Sequence, residues 1–292
     1  MVIVKLQGGL GNQMFQYAAG RALAEKHGTT LKLDLTALKD RSRQDIVLRE
    51  FDLDIFTKLH CEIATKEESE KLTRPFKIDF LNKVVRRLPG TPTHFVETSY
   101  AYQEKYESLR SDVYLEGYWQ SEKYFKSIEN LIRSDFSFDA LTVGDNELLK
   151  KRIRETDSVC LNVRRGDFVT LSANTLGFVG LEYYHQAIEH IGRSVKKPHY
   201  YVFSDEIDWC RENLHFQQEV TFVDHSSAGP KFADYLQLMS SCKHFIIPNS
   251  SFAWWAAWLS ENPDKIVISP LKYFANSAFD SSDIAPPSWI RL

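Results

Sequence analysis

The sequence lacks a cysteine framework, an excess of positive charge and a long apolar run, and each absence excludes a class of protein. Its four cysteines are widely spaced, with no C-x-x-C pair, which argues against disulfides or a zinc site and favours reduced thiols. The formal net charge is −3, whereas nucleic-acid-binding domains usually carry a basic surface. The longest strongly apolar run, 252–259, is too short to cross a bilayer. We therefore predict a soluble protein with no nucleic-acid partner.

Two further absences concern targeting and enzyme class. A lysine already follows the first four residues, too early for the apolar core of a signal peptide, so we expect a cytoplasmic location. No G-x-S-x-G motif occurs, which weakens a hydrolase interpretation. Gly9-Leu10-Gly11 begins a dinucleotide-binding G-x-G-x-x-G fingerprint, but Met14 occupies the position where close packing requires the third glycine. A nicotinamide dehydrogenase is therefore disfavoured.

The first 35 residues show the pattern of a parallel α/β unit. Residues 2–6 read as a strand, and the glycine-rich GGLGNQ follows at once. Apolar residues at helical spacing then end at Gly28, where a helix-terminating glycine is expected, and 29–35 read as a second strand. Residues 40–120 are less regular, and their pattern does not trace a sheet.

The second half of the chain alternates short apolar strands with helices. This alternation is typical of a parallel sheet covered on both faces. We predict an α/β protein of two Rossmann-like lobes with parallel sheets and a cleft between them, divided into 1–150 and 151–292. The predicted strands lie at 159–163, 200–204, 220–223, 244–248 and 266–269, and the predicted helices lie near 182–195, 206–214, 231–242 and 251–261.

Polar residues follow four predicted strands of the second lobe. Because ligands of open α/β sheets bind at the carboxyl ends of strands, these residues predict one shared site for a nucleoside diphosphate. Either of two adjacent arginines can grip phosphate oxygens, a hydroxyl-rich helix start can bind an anion, and a carboxylate can accept the N–H groups of guanine. The residues are Arg164 and Arg165, Ser204 and Asp205, Asp224, and Asn249, Ser250 and Ser251.

Each of these features also has a purely structural interpretation. Arginine–aspartate clusters are often surface ion pairs, and an Asn-Ser-Ser run is often only a helix cap. The nucleotide interpretation therefore depends on the four strand ends occurring together.

Six segments of the chain carry distinctive motifs. They are GGLGNQMFQYAAGRALA (8–24), LREFDLDIF (48–56), GYWQSEKYF (117–125), VRRGDFV (163–169), VFSDEIDWC (202–210) and IPNSSFAWWAAWL (247–259). In motif and in order along the chain they resemble the alpha-1,2-fucosyltransferases of glycosyltransferase family 11 in their short bacterial form, and the resemblance covers nearly the whole sequence.

The resemblance implies a GT-B-type fold and an inverting transfer of L-fucose from GDP-fucose to the 2-hydroxyl of a terminal β-galactose, with no metal or other cofactor. It implies that Arg164 neutralises the leaving diphosphate, that Ser250 and Ser251 cradle the phosphates, and that Asp224 binds guanine. It also implies that Asn12 approaches the donor from the first lobe, which would be the acceptor side. The remaining residues predicted to bind the donor are Gln13, Asn162, Arg165, Ser204, Asp205 and Asn249.

One departure and one ambiguity affect the mechanism. The family motif usually begins with histidine where this chain has Asn162, and asparagine cannot carry a proton near neutral pH. Asp167 is the candidate general base for the acceptor hydroxyl, with a purely orienting role toward Arg164 or Arg165 as the alternative. Other interpretations left open are a fucosyltransferase of different acceptor or linkage specificity and a sugar-nucleotide-binding protein without turnover.

The acceptor and its location follow from the resemblance and from one basic segment. Bacterial members of the family decorate surface polysaccharides, so we expect the acceptor to be an O-antigen or similar galactose-terminated oligosaccharide. This acceptor could be attached to a lipid. Residues 77–88 place apolar positions at helical spacing among basic residues, a pattern that suits peripheral association with the inner face of the bacterial membrane. Docking of this segment onto the first lobe is the alternative.

Overall fold

The computed structural model describes residues 1–40, 49–73, 93–166, 179–276 and 279–292, which form two compact units. The first unit is Met1–Ser137 with Ser282–Ile284, and the second is Phe138–Ser281 with Ala285–Leu292. The boundary between the units thus lies before residue 150, which was the boundary predicted from the sequence. Asn146 donates hydrogen bonds to the Asp234 carboxylate and the Ser227 carbonyl, and these contacts tie its helix to the second unit.

The first unit is built on a five-stranded parallel sheet in the order β3-β2-β1-β5-β4. The opening strand, helix and strand that the sequence predicted are present. Tight packing of the first helix on the sheet requires Gly20, where an added Cβ would lie 2.7 Å from Leu31 Cδ1. The strands are β1 Val2–Lys5, β2 Leu31–Asp34, β3 Glu62–Ile63, β4 His94–Val96 and β5 Val113–Glu116, and the helices are α1 Leu10–Lys26, α2 Thr36–Lys39, α3 Lys66–Thr73 and α4 Glu129–Asp135.

The second unit is built on a six-stranded parallel sheet in the order β11-β10-β9-β6-β7-β8. The predicted alternation of strands and helices is confirmed here, and only the two-residue β11 was too short to show a pattern. The strands are β6 Asp157–Val163, β7 Pro198–Ser204, β8 Val220–Val223, β9 His244–Ile246, β10 Val267–Ser269 and β11 Ile290–Arg291, and the helices are α5 Asn146–Glu155, α6 Leu181–Ser194, α7 Ile207–Asn213, α8 Ala233–Ser240 and α9 Ser251–Leu259.

Helix α9 is the most apolar helix segment of the second unit and is buried along its length. Trp254, Trp255 and Trp258 are buried, and the Trp255 ring meets the Trp254 and Trp258 rings edge to face at centroid separations of 5.1 and 5.3 Å. Burying such rings contributes strongly to stability and leaves little freedom of position. The core therefore holds the amino end of α9 in place, immediately after β9.

Within the described part of the chain, no helix combines the length and the apolar character needed to cross a membrane. The basic segment 77–88 lies outside the described residues. Its association with a membrane surface stays a prediction.

Candidate functional site

The sheet of the second unit reverses its strand order between β6 and β9. From β6 the chain moves outward through β7 and β8, then returns to β9 on the other side of β6. In open parallel sheets the loops that leave two such neighbouring strands diverge, and the crevice between them binds ligands. Here the loop after β6 carries Arg164, and the loop after β9 carries Asn249 and Ser250. The fold thus brings together residues that are distant in the sequence.

Asp205, at the end of the neighbouring strand β7, organises the turn that carries Arg164. Its two carboxylate oxygens accept hydrogen bonds from the backbone N–H groups of Arg165 and Gly166, each at 3.0 Å. The Arg164 Nη1 lies 3.0 Å from Asp205 Oδ2. An added Cβ on Gly166 would lie 2.8 Å from that same oxygen, so glycine is required for this approach. These contacts place Asp205 in a positioning role toward Arg164, and its predicted contact with the donor stays a prediction.

The two adjacent arginines differ in what surrounds them. The Arg165 guanidinium lies 3.8 Å from the centre of the Trp209 ring, and its Nε donates to Glu206 Oε2 at 3.1 Å. A guanidinium stacked on indole and hydrogen-bonded to a carboxylate is held firmly. The Arg164 side chain keeps 33% exposure, against 18% for Arg165. Of the two predicted phosphate-binding arginines, Arg164 is therefore the better placed to meet a ligand.

Two predicted donor-binding residues are buried in the strand ends. Ser204 Oγ accepts from the Glu206 N–H at 2.9 Å, and Asn162 Nδ2 donates to the Phe203 carbonyl at 3.0 Å. Both side chains are inaccessible or nearly so. The Asn162 bond joins the carboxyl ends of β6 and β7, and the Ser204 bond fixes the turn after β7. Direct contact of either residue with the donor stays a prediction.

Ser250 is the N-cap of α9. Its hydroxyl accepts from the Ala253 N–H at 3.4 Å, and its carbonyl accepts from the Trp254 N–H at 2.9 Å. Asn249 is buried, and its Nδ2 donates to the Tyr273 carbonyl at 2.9 Å. Ser251, the first residue of the helix, is partly exposed. The helix therefore presents its positive end and first-turn N–H groups at the switch point, an arrangement that attracts anions.

Asp224 follows the edge strand β8 and is exposed. One carboxylate oxygen accepts bonds from the Ser226 hydroxyl and the Ser226 N–H. These bonds to the charged form lower the pKa of Asp224 below its usual value. The group is thus an exposed carboxylate with a set orientation at the end of the sheet, where the sequence predicted a guanine-binding residue.

Beside Asp224 lies an exposed aromatic residue that sequence reasoning missed. Phe232 is 45% exposed and adopts a left-handed backbone conformation with φ 62°. Its ring stands edge to face against His225, with centroids 5.4 Å apart, and against Tyr235. A bulky residue in this conformation is strained, and such strain is often found at binding sites. The preceding Gly229-Pro230 was the only sequence signal of an unusual turn.

The sheet of the first unit has its own switch point, between β1 and β5. From β1 the chain moves outward through β2 and β3, and β5 lies on the other side of β1. The loop after β1 carries Asn12, whose Oδ1 accepts from Gln120 Nε2 at 2.7 Å, and Gln120 follows β5. Asn12 is half-buried. Asn12 therefore lies at the carboxyl edge of its own sheet, and its approach to the donor stays a prediction.

Gln13, whose contact with the donor stays a prediction, is engaged in hydrogen bonds within the first unit. It is fully buried. Its Nε2 donates to the carbonyls of Gly8 and Glu50, and its Oε1 accepts from the Asp52 N–H at 2.9 Å. These bonds use the amide to join the glycine-rich loop to residues 50–52, so a direct contact with a ligand would break them.

Asp167 lies outside the described residues, so its proposed role as general base stays a hypothesis. Among the residues that the structure describes, no three or more histidine, cysteine, aspartate or glutamate side chains form a group that could hold a metal ion. The cysteines in the described ranges are all free thiols, and Cys160, Cys210 and Cys242 are buried.

The whole chain, residues 1–292, matches the family model described as Glycosyl transferase family 11. The protein belongs to glycosyltransferase family 11. Its family 11 relatives include the alpha-1,2-colitosyltransferase of Escherichia coli, which is 31% identical over 100% of this chain and 99% of the relative. The O-antigen biosynthesis glycosyltransferase WbnK of Escherichia coli is 32% identical over 98% and 99%. The galactoside alpha-(1,2)-fucosyltransferase 1 of Homo sapiens is 26% identical over 87% and 64%.

Solved structures agree with this assignment at the level of the fold. The fucosyltransferase NodZ from Bradyrhizobium superposes on this family 11 chain with a TM-score of 0.53 at 13% identity, covering 91% and 94% of the two chains. A NodZ alpha-1,6-fucosyltransferase soaked with GDP-fucose gives a TM-score of 0.50 at 15% identity with the same coverage. The predicted α/β fold class, GT-B-type with two Rossmann-like parallel-sheet units, is confirmed.

Proposed function

We propose that this family 11 protein transfers L-fucose from GDP-fucose to the 2-hydroxyl of a terminal β-galactose. The transfer inverts the configuration at the fucose C1 and needs no metal ion. The observation that carries the proposal is that Arg164 and the Ser250-capped amino end of α9 follow the neighbouring strands β6 and β9, at the switch point of the second sheet. Both are donors of hydrogen bonds to anions, and together they suit a diphosphate.

The proposed chemistry places the greatest demand on the leaving group. As the bond between the fucose C1 and the β-phosphate oxygen breaks, negative charge grows on the departing GDP. A guanidinium can donate two parallel hydrogen bonds to phosphate oxygens, and the first-turn N–H groups of α9 add further donors. Groups already oriented before the reaction stabilise such charge most effectively. The Asp205 carboxylate supplies that orientation by holding both Arg164 and its backbone turn.

Guanine recognition is assigned to the end of β8. The exposed Asp224 carboxylate can accept the N1–H and N2–H of guanine, a donor pair that adenine does not present. Its lowered pKa keeps it ionised at neutral pH. The exposed Phe232 ring offers an apolar surface beside it, and bases commonly stack on such surfaces.

The linkage and the acceptor are supported by what the relatives are named for. The Escherichia coli colitosyltransferase and the human fucosyltransferase both form alpha-1,2 linkages, and the human protein acts on galactosides. WbnK is named for O-antigen biosynthesis. We therefore place the acceptor galactose in a bacterial surface polysaccharide. Attachment of that acceptor to a lipid, and a peripheral position of the enzyme at the membrane, stay predictions.

A second candidate differs only in the donor sugar. The relative that covers the entire chain is a colitosyltransferase, and colitose is an L-fucose that lacks the 3-hydroxyl. A pocket that hydrogen-bonds this hydroxyl would discriminate strongly against colitose, whereas an apolar pocket would not. GDP-colitose therefore belongs in the same assay as GDP-fucose.

The test incubates the purified protein with each donor, lactose and EDTA, and follows GDP release with linkage analysis of the product. An alpha-1,2-fucosylated lactose formed in EDTA is the expected result. Activity that disappears in EDTA and returns with Mg²⁺ would contradict the metal-independent route. Faster transfer from GDP-colitose would favour the second candidate. GDP-fucose binding without turnover on any galactoside would indicate a sugar-nucleotide-binding protein.

A further inference from the structure

A buried carboxylate in the second unit fixes the segment that precedes α5. Asp234, in the first turn of α8, is 2% exposed. Its Oδ2 accepts from the backbone N–H groups of Thr142 and Val143, each at 2.9 Å, and its Oδ1 accepts from the Thr142 hydroxyl at 3.1 Å. A carboxylate is stable in the interior only when hydrogen bonds satisfy its oxygens. These bonds therefore hold residues 142–143 against the start of α8, and both segments belong to the second unit.

Asn146 joins this carboxylate to the loop that follows β8. The residue is 1% exposed. Its Nδ2 donates to Asp234 Oδ2 and to the Ser227 carbonyl, each at 2.9 Å. The amide NH₂ group carries two N–H donors, and here each donor has its own acceptor. Aspartate and leucine have nearly the same shape but offer neither donor, so the bridge requires asparagine.

The loop that Asn146 reaches spans residues 224–232, the β8 loop, and begins with the exposed carboxylate of Asp224. The Asp224 carbonyl accepts from the Ser227 N–H at 3.1 Å, and its side chain accepts from the Ser226 N–H at 2.9 Å. These two bonds make a single tight turn of the residues from Asp224 to Ser227. Because Asn146 holds the Ser227 carbonyl, the direction of the Asp224 carboxylate depends on a bond made further along the same loop.

The middle of the β8 loop is fixed on the first turn of α8. The Tyr235 N–H donates to the Ala228 carbonyl at 3.2 Å, and the Tyr235 hydroxyl donates to the Val223 carbonyl at 2.5 Å. Gly229 has a φ of 66°, and an added Cβ would lie 2.6 Å from Asp234 Cγ. The close approach of the loop to the buried carboxylate therefore requires glycine at this position.

The end of the β8 loop is held in an uncommon backbone conformation. Lys231 and Phe232 have φ values of 50° and 62°. Non-glycine residues keep such conformations only where the surrounding structure enforces them. The Phe232 ring also stands edge to face against Phe252 in the first turn of α9, with centroids 6.5 Å apart. Contacts with both α8 and α9 thus set the shape of the loop before any ligand binds.

We infer that Asn146 is the positioning residue for recognition of the nucleotide base, because it holds the β8 loop against Asp234 and so sets the direction of the Asp224 carboxylate. This inference rests on the proposed binding of guanine by Asp224. Guanine presents its N1–H and N2–H side by side, so both bonds depend on the direction of one carboxylate. A group oriented in advance loses less freedom when the ligand binds. Because Asn146 is buried, it acts on the base through the loop.

The experiment measures the Kd of GDP and of inosine diphosphate by calorimetry for wild type, Asn146→Ala, Asp224→Asn and the control Asn262→Ala. Inosine diphosphate keeps N1–H but lacks the N2 amino group, so the ratio of the two Kd values reports base recognition separately from phosphate binding. Wild type should bind GDP about 10-fold more tightly, because the additional bond ends on a charged carboxylate. Asn146→Ala should reduce this preference by about 2- to 10-fold. Asn262, which donates to the Lys243 carbonyl in the same unit, should be replaceable without changing the preference.

Steady-state transfer from GDP-fucose separates this positioning role from a merely structural one. Asn146→Ala should raise the KM for GDP-fucose and leave kcat nearly unchanged, since the lost interaction contributes equally to the ground and transition states. A lower kcat with unchanged KM and unchanged GDP preference would mean only that less of the protein is folded, and would overturn the inference. If Asn146→Ala does not fold, Asn146→Ser, which keeps one donor, provides the test. A reduced GDP preference in that variant supports the inference, and an unchanged preference overturns it.

Asp224→Asn distinguishes failure of this inference from failure of the proposed function. It changes the carboxylate itself, so its GDP preference should fall whatever the role of Asn146. A preference that is lost in Asp224→Asn but kept in Asn146→Ala would overturn the inference alone. A wild type that binds GDP no more tightly than inosine diphosphate would contradict the proposed guanine site, and the inference with it.

Discussion

The two sheets share one topology but present different chemistry at their carboxyl edges. In the second unit the switch point carries the Arg164 guanidinium, held by Asp205, and the positive end of α9. In the first unit the same position carries the Asn12–Gln120 amide pair, and the loop after β5 donates two backbone N–H groups to the Glu97 carboxylate. The second edge is built around a fixed guanidinium, whereas the first edge combines the amino end of α1 with amides and carboxylates.

This difference shows that the sheet decides where a ligand binds and the loops decide which ligand binds. A diphosphate needs fixed positive charge, and the second unit supplies it at the strand ends through Arg164 and the amino end of α9. The donor-binding role proposed for the second unit follows from this charge, and the acceptor role of the first unit stays a prediction.

The largest expected effect tests the charged edge of the second unit. Arg164→Ala should lower kcat/KM by about 10²- to 10³-fold, because a preorganised donor to the leaving group is lost. Arg193→Ala, which removes an exposed arginine paired with Glu189 on α6, is the matched control and should leave turnover unchanged. Near-normal turnover in Arg164→Ala would contradict the role of Arg164 in stabilising the leaving diphosphate, and with it the contrast drawn between the two units.

Asp205→Asn tests whether the position of Arg164 matters, because it changes the carboxylate that holds Arg164 and keeps the arginine itself. The amide NH₂ would face a backbone N–H of Arg165 or Gly166, so the turn should shift. We expect about a 10- to 100-fold loss of kcat and a loss of about 1–3 kcal/mol in the free energy of unfolding. Steady-state kinetics and denaturant unfolding measure the two effects. Full kcat with reduced stability would show that the position of Arg164 does not depend on Asp205.

Gly117→Ala tests the closely packed edge of the first unit. Its new Cβ would collide with Glu97, so we expect a loss of about 1–3 kcal/mol in unfolding free energy. Gly144→Ala is the control, because nothing lies within 4 Å of the added Cβ, and it should be neutral or slightly stabilising. Equal stability of the two variants would mean that the Gly117 loop accommodates a side chain at no cost.

The smallest expected effect concerns the nucleotide base. Phe232→Ala should raise the KM for GDP-fucose about 5- to 10-fold with kcat nearly unchanged, because stacking on the base contributes equally to the ground and transition states. Phe279→Ala, at another exposed phenylalanine of the second unit, is the control. A lowered kcat with unchanged KM would place Phe232 in the chemical step instead.

Sequence reasoning succeeded where the pattern was local. The strands and helices of the second unit follow from near-continuous apolar runs between helical segments, and the polar strand ends were recognisable beside them. The same reasoning did not trace β3, β4 and β5. Both residues of β3 are exposed and only Phe95 of β4 is buried, so neither strand forms a continuous apolar run, and β5 lies with them in the irregular segment 40–120. Asn146 also received no functional assignment, because its partners Ser227 and Asp234 lie 81 and 88 residues further along the chain.

Assignments within the polar clusters needed the structure. Arg164 and Arg165 are adjacent and chemically identical, yet Trp209 and Glu206 hold one while the other remains more exposed. Gln13 and Ser204 were predicted to bind the ligand. In the fold both side chains are buried and form hydrogen bonds with backbone groups. These outcomes depend on neighbours that are distant in the sequence, so no local pattern predicts them.

The sequence by itself determined the family and the parallel α/β architecture, because apolar periodicity and short motifs are local properties of the chain. Only the tertiary structure decided which polar groups face a ligand and which support the backbone. It also decided that the Asn146 amide joins the Asp234 carboxylate to the loop after β8. The physical reason is that burial and hydrogen-bond partners, which set the charge and availability of a side chain, are created by the packing of distant segments.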